Sequence, residues 1–120
     1  MSKDEIVKEL EGIEKSLGIN LPGAYKKFLS EEVQDAESYE IENKNGDPVY
    51  IFNYKDIVER NKTYTIQEVE PDYFLIGQDG DLGYFICSKD NSDKIYSLDL
   101  GALGSLDMDE EAKDLYELRA

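Results

Sequence analysis

Leu17-Gly18-Ile19-Asn20-Leu21-Pro22-Gly23-Ala24-Tyr25-Lys26-Lys27-Phe28-Leu29 is a phrase that ends one helix and begins another. Gly18 can adopt the left-handed geometry that closes a helix, Leu21 can pack, and Pro22 fits a first helical position. Upstream, Ser2 and Glu5 have capping-box spacing. Ile6, Leu10, Ile13 and Leu17 follow at helical intervals, with Val7 widening the stripe. Asp4 with Lys8 and Glu11 with Lys15 are i,i+4 pairs in the favourable orientation. Downstream, a shorter helix is predicted from Pro22 to about Leu29, burying Tyr25, Phe28 and Leu29 and leaving Lys26 and Lys27 in water.

Ser30 to Glu37 is predicted as an acidic loop or a frayed extension of that helix. Tyr39–Glu42 and Val49–Phe52 alternate as strands across Lys44-Asn45-Gly46-Asp47, and Asn-Gly is a strong hairpin signal. Pro48, lacking an amide donor, is expected to begin the returning strand or lie at an edge. Asn53 can cap a short helix in which Tyr54, Ile57 and Val58 share a face, ending near Asn61 or Lys62. A second phrase, Leu75-Ile76-Gly77-Gln78-Asp79-Gly80-Asp81-Leu82-Gly83-Tyr84-Phe85-Ile86, reads as strand, turn and strand. Tyr73–Gly77, Gly83–Cys87 and Lys94–Leu98 are the strands expected there. Their apolar runs are too continuous for a one-faced sheet, so at least one is expected to be central and covered by helices. Gly101 and Gly104 mark a loop, after which Asp107 and Glu110 are expected to cap a final helix carrying Met108, Ala112, Leu115 and Tyr116. The fold class is α+β: a mostly antiparallel sheet of about five strands with N-terminal, middle and C-terminal helices packed on it. Residues 1–120 form one domain, without repeats or linkers.

Charge is the compositional outlier. Among 120 residues, 13 Lys and Arg face 28 Asp and Glu, for a net charge of −15. That surplus disfavours nucleic acid and anionic membranes as partners and favours cationic ones through long-range steering. Acidity also serves solubility alone in many proteins. The chain has no histidine, which removes Ser-His and Cys-His nucleophile pairs and the commonest metal ligand. The charged opening Met-Ser-Lys-Asp-Glu is unlike a secretory signal, and the single cysteine cannot form an internal disulfide, so a cytoplasmic location is expected.

Glu31, Glu32, Asp35 and Glu37 are the first candidates for partner contact, since carboxylates can meet the cationic groups of a nucleic-acid-binding protein. The competing reading is a solvated loop. Asp79 and Asp81 are the second candidates. Their glycine spacing is not a dinucleotide fingerprint, and too few oxygens are present for a calcium loop, so turn chemistry explains them best. Asp90-Asn91-Ser92-Asp93 reads as a turn in the same way. Nine tyrosines exceed the needs of a small core, and Tyr39, Tyr64 and Tyr73 are those suspected of exposure. Cys87 is expected to be a small core residue. Nothing in the sequence singles out a catalytic carboxylate pair, and no metal or cofactor site is expected.

In this order and spacing the chain resembles the SUKH superfamily, the Smi/Knr-like group of fungal cell-wall regulators and bacterial immunity proteins. The resemblance rests on Leu17-Gly18, Leu21-Pro22 and Tyr25-Lys26-Lys27-Phe28-Leu29. It continues through Val49-Tyr50-Ile51-Phe52 leading into Ile57 and Asn61, Ile76-Gly77-Gln78-Asp79-Gly80, and Lys94-Ile95-Tyr96. It departs from the family pattern in having Ser30-Glu31-Glu32 after the second helix and no tryptophan. The resemblance implies a non-catalytic protein-binding domain, with an immunity protein that blocks a cognate toxin as the leading expectation. The toxin expected is a cationic nuclease domain, met by a monomer or weak homodimer using tyrosines as anchors. The alternative is a regulatory or scaffold domain that binds several proteins.

Overall fold

The computed structural model describes residues 2–89, 92–104 and 107–119. Helix α1 (Lys3–Leu17) begins at the Ser2 capping box and ends at Gly18, whose φ of 65° is the left-handed closure expected there. Glu14 then ties the turn together, accepting from the Leu21 amide at 2.8 Å and from Lys26 Nζ at 3.3 Å. Helix α2 (Gly23–Phe28) has no side-chain cap of its own, and the distant Asp93 supplies one, accepting from the Ala24 amide at 3.0 Å. The expected extension beyond Leu29 is a π-helical turn, Leu29–Val33, that buries Leu29, Ser30 and Val33 and leaves Glu31 exposed.

Six strands form one antiparallel sheet in chain order: β1 (Glu40–Glu42), β2 (Pro48–Ile51), β3 (Tyr73–Asp79), β4 (Leu82–Cys87), β5 (Ile95–Asp99) and β6 (Asp109–Ala112). Pro48 opens β2, as a residue without an amide donor must. Asn43 organises the β1–β2 turn, its Oδ1 accepting from the amides of Asn45 and Asp47. Asn53 Oδ1 accepts from the amides of Lys55 and Asp56 and so starts helix α3 (Asp56–Thr63), which is followed by helix α4 (Ile66–Val69). Both helices contact β3. Phe74, Leu75, Ile76 and Gly77 are buried in succession, so the central strand is covered on both faces, as its unbroken apolar run requires.

The sequence expectation fails at the C-terminal end. Asp109–Ala112 is not helix but β6, and the helix is a single turn, α5 (Leu115–Leu118), capped by Asp114 rather than Asp107. Four residues have too little helix propensity to outweigh the unpaired edge of β5. Pairing across Tyr96↔Glu110 and Ser97↔Asp109 satisfies that edge, and Glu111 accepts from the Ser97 hydroxyl at 2.7 Å.

A built Cβ at Gly77 would lie 2.4 Å from the Tyr50 carbonyl oxygen, so β2 and β3 pair only because residue 77 has no side chain. Gly77→Ala must push apart backbone rather than a flexible side chain. It is expected to cost about 3 kcal/mol, read as a lower urea midpoint at unchanged m-value.

Tyr25 is 2% exposed, and its hydroxyl has no hydrogen-bond partner among the described residues. Burial pushes its phenol pKa well above the usual value. Between the unfolded pKa of about 10 and the raised folded value, only the unfolded chain releases the proton, so stability is intact below about pH 10 and falls above it. Tyr25→Phe is expected to gain about 1 kcal/mol at neutral pH and to flatten the alkaline fall of Tm. Equal alkaline slopes in the two proteins would contradict this.

Candidate protein-binding surface

Strand register sets up a cross-sheet row of Glu40, Tyr50, Gln78, Gly83 and Leu98. Leu98 and Gly83 are buried, Gln78 is half-buried, and Tyr50 is 47% exposed. This face of the sheet is therefore covered at its β4–β5 end and open at its β1–β2 end. Beside α3, the open end forms a hollow of about 410 Å³, lined by Glu37, Tyr39, Tyr50, Phe52, Asp56, Arg60 and Gln78 among others.

The hollow combines aromatic surface with charge. Arg60 places its guanidinium 5.4 Å from the centre of the Phe52 ring. Tyr39 is half-buried and meets Phe28 edge-on at 5.9 Å, so its ring is held rather than free. Gln78 donates to the Gly80 carbonyl at 2.9 Å, while its Oε1 is buried and has no donor among the described residues. Gly80, at a φ of 58°, lines the hollow as well, and Asp79 and Asp81 flank it in the β3–β4 turn.

The acids and tyrosine singled out in the sequence thus divide. Glu37 and Tyr39 line the hollow, whereas Asp79 and Asp81 do not line it and adjoin Gly80, which does, along the chain. Glu31 and Glu32 serve the packing of the chain ends. Glu31 pairs with Lys3 at 3.0 Å, and Glu32 pairs with Arg119, whose guanidinium lies over the rings of Phe28 and Tyr116 at 5.3 and 5.2 Å. The hydrogen bond to Glu32 raises the Arg119 pKa, and burial followed by the nearby Glu32 and Glu31 charges raises that of Tyr116. Asp35 is exposed just past the π-helical turn.

Of the tyrosines suspected of exposure, Tyr39, Tyr64 and Tyr73 are all half-buried against the core, and Tyr73 meets Tyr96 edge-on at 5.5 Å. Tyr50 is the exposed one. Its signal lay in the alternation of Val49, Tyr50 and Ile51, which sends residue 50 to the face opposite the two buried aliphatics. Asn61 was also missed as a structural polar residue. Cys87 is buried, as expected. In the turn read at 90–93, Asp90 and Asn91 lie outside the described residues, whereas Asp93 is the cap of α2.

Among the described residues, no group of three or more His, Cys, Asp or Glu side chains could hold a metal ion, and no helix is long and apolar enough to cross a membrane. The sequence profile of the SMI1 / KNR4 family (SUKH-1) matches residues 7–118. The search of curated proteins found no match.

Proposed function

The chain belongs to the SMI1 / KNR4 family (SUKH-1), and from that premise we propose that it is an immunity protein acting as an antitoxin against a cognate bacterial toxin. The toxin is a cationic domain, a nuclease by the charge it must present to nucleic acid, and neutralisation is by occlusion with charge complementarity. The immunity protein transforms no substrate and acts in the cytoplasm as a monomer or weak homodimer. The observation that carries this reading is the hollow at the open end of the sheet. There the exposed Tyr50 stands among Glu37, Glu40 and Asp56, in a chain of net charge −15. Aromatic area with a polar tip suits an anchor, and surrounding carboxylates suit the approach of a positive partner.

The test is rescue in a host cell. The protein encoded immediately upstream of this gene, or its C-terminal domain, is expressed alone and together with this protein. Growth restored only by co-expression, with a one-to-one complex recovered on purification, is the expected result. Undiminished killing, or weak binding to several unrelated proteins in place of one tight complex, would overturn the proposal.

A further inference from the structure

We propose that the β1–β2 hollow is a seat for an arginine side chain of the partner, a claim that rests on the toxin-binding reading and names its central contact. The hollow offers what a guanidinium needs and an ammonium uses less fully. The rings of Tyr50, exposed, and Tyr39, half-buried, provide stacking surfaces, and Glu37 and Asp56 provide carboxylate acceptors. A guanidinium carries five donors in a fixed plane, enough to serve both carboxylates while its face lies on a ring.

The chain already demonstrates this chemistry on itself. Arg60 lies over Phe52 in the same hollow, and among the described residues it has no carboxylate within ion-pair distance. Held on α3, this guanidinium lies on an aromatic ring without a carboxylate to fix it, and it takes the Phe52 face, leaving Tyr39 and Tyr50 for an incoming one. An incoming arginine meets Arg60 as its one like-charge neighbour among the lining residues. Glu37 and Asp56 line the hollow with it, Glu40 adjoins Tyr50 across the ladder, and Asp79 and Asp81 flank Gly80. The balance of charge favours a cation, and the rings favour a flat one.

Backbone amide resonances of the intact protein, followed by NMR during titration with N-acetyl-arginine methylamide, test the seat without any toxin. The lysine and citrulline analogues serve as comparisons, citrulline keeping the planar shape but not the charge. Saturable shifts centred on Tyr39, Tyr50, Gln78 and Gly80 are expected, with an affinity at least about fivefold greater for arginine than for citrulline. Lysine is expected to bind more weakly than arginine at the same residues. Tyr50→Ala, an exposed substitution that leaves the core intact, is expected to abolish the local shifts. Arg60→Gln is expected to strengthen binding by removing the competing cation. Equal responses to arginine and lysine, shifts spread over the acidic surface, or an unmoved hollow would overturn the inference. Such a failure leaves rescue by co-expression untouched, and a failed rescue leaves the titration untouched, so the two proposals fall separately.

Discussion

Asn61→Ala is expected to destabilise the fold by about 3–5 kcal/mol, more than an alanine at Ser30, Asn53 or Ser97, the other buried polar positions among the described residues. Asn61 is 3% exposed, on the side of α3 that faces β3. Its Nδ2 donates to the carbonyls of Ile57 at 2.7 Å and Leu75 at 2.8 Å, and its Oδ1 accepts from the Leu75 amide at 2.8 Å and from Gln67 Nε2 at 3.0 Å. Two carbonyls and two N–H groups around one amide leave no ambiguity in its orientation. The need arises from the sheet. Between Leu75 and Gly77 the β3–β4 register shifts, and β2 pairs with β3 only as far as Gly77. Leu75 therefore presents an amide and a carbonyl where no strand continues, and the Asn61 side chain takes the position of the missing strand residue. Removing it strands both backbone groups in a dry interior. Urea unfolding measures the loss directly, with Gln67→Ala, at the exposed end of the network, expected to cost less than about 1 kcal/mol. A loss below that value at Asn61 itself would show that the bulge finds other partners.

Association with the proposed cationic toxin is expected to slow by about 10- to 100-fold as ionic strength rises from about 0.01 to 0.15 M, while dissociation changes little. The net charge of −15 acts over the Debye length, which shrinks from about 30 Å to about 8 Å across that range, so screening acts on the approach. Stopped-flow or surface-based kinetics across a salt series separates the two rates. Neutralising Glu37, Glu40, Asp79 and Asp81 together is expected to lower the on-rate at low salt and to flatten its salt dependence. Glu32→Gln acts differently, because it first removes the carboxylate that holds Arg119 over Phe28 and Tyr116 and so loosens α5. An on-rate indifferent to salt would remove charge steering from the mechanism while leaving occlusion in place.

Much of the fold was legible because it depends on neighbours in the chain. The Ser2 cap, the Gly18 stop, the Asn43–Asp47 turn and the Asn53 start are settled by groups within a few residues of one another. Hydrophobic period supplied the two-sided cover of β3 and the buried Ile6 and Leu10 of α1, while Leu17, at the end of the same stripe, is exposed. The last strand was not legible, since Asp109–Ala112 has no strand pattern of its own and forms one only because β5 presents an open edge. Asn61 could have been noticed as an amide four residues after Ile57 on the apolar face of a helix, but its partner is a bulge that no local pattern reveals.

The candidate surface divides along the same line. Sequence alone determined the charge, the absence of histidine, the order of elements from α1 to α3 and the resemblance that names the family, because each is a property of composition or of short-range spacing. Tertiary structure alone decided the neighbours of each acid: Glu31 pairs with Lys3 and Glu32 with Arg119 near the chain ends, while Glu37 joins Tyr39, Tyr50, Phe52 and Asp56 around an uncovered stretch of sheet. Whether a carboxylate meets a partner or a neighbour depends on distances between residues far apart in the chain, and only the folded molecule sets those distances.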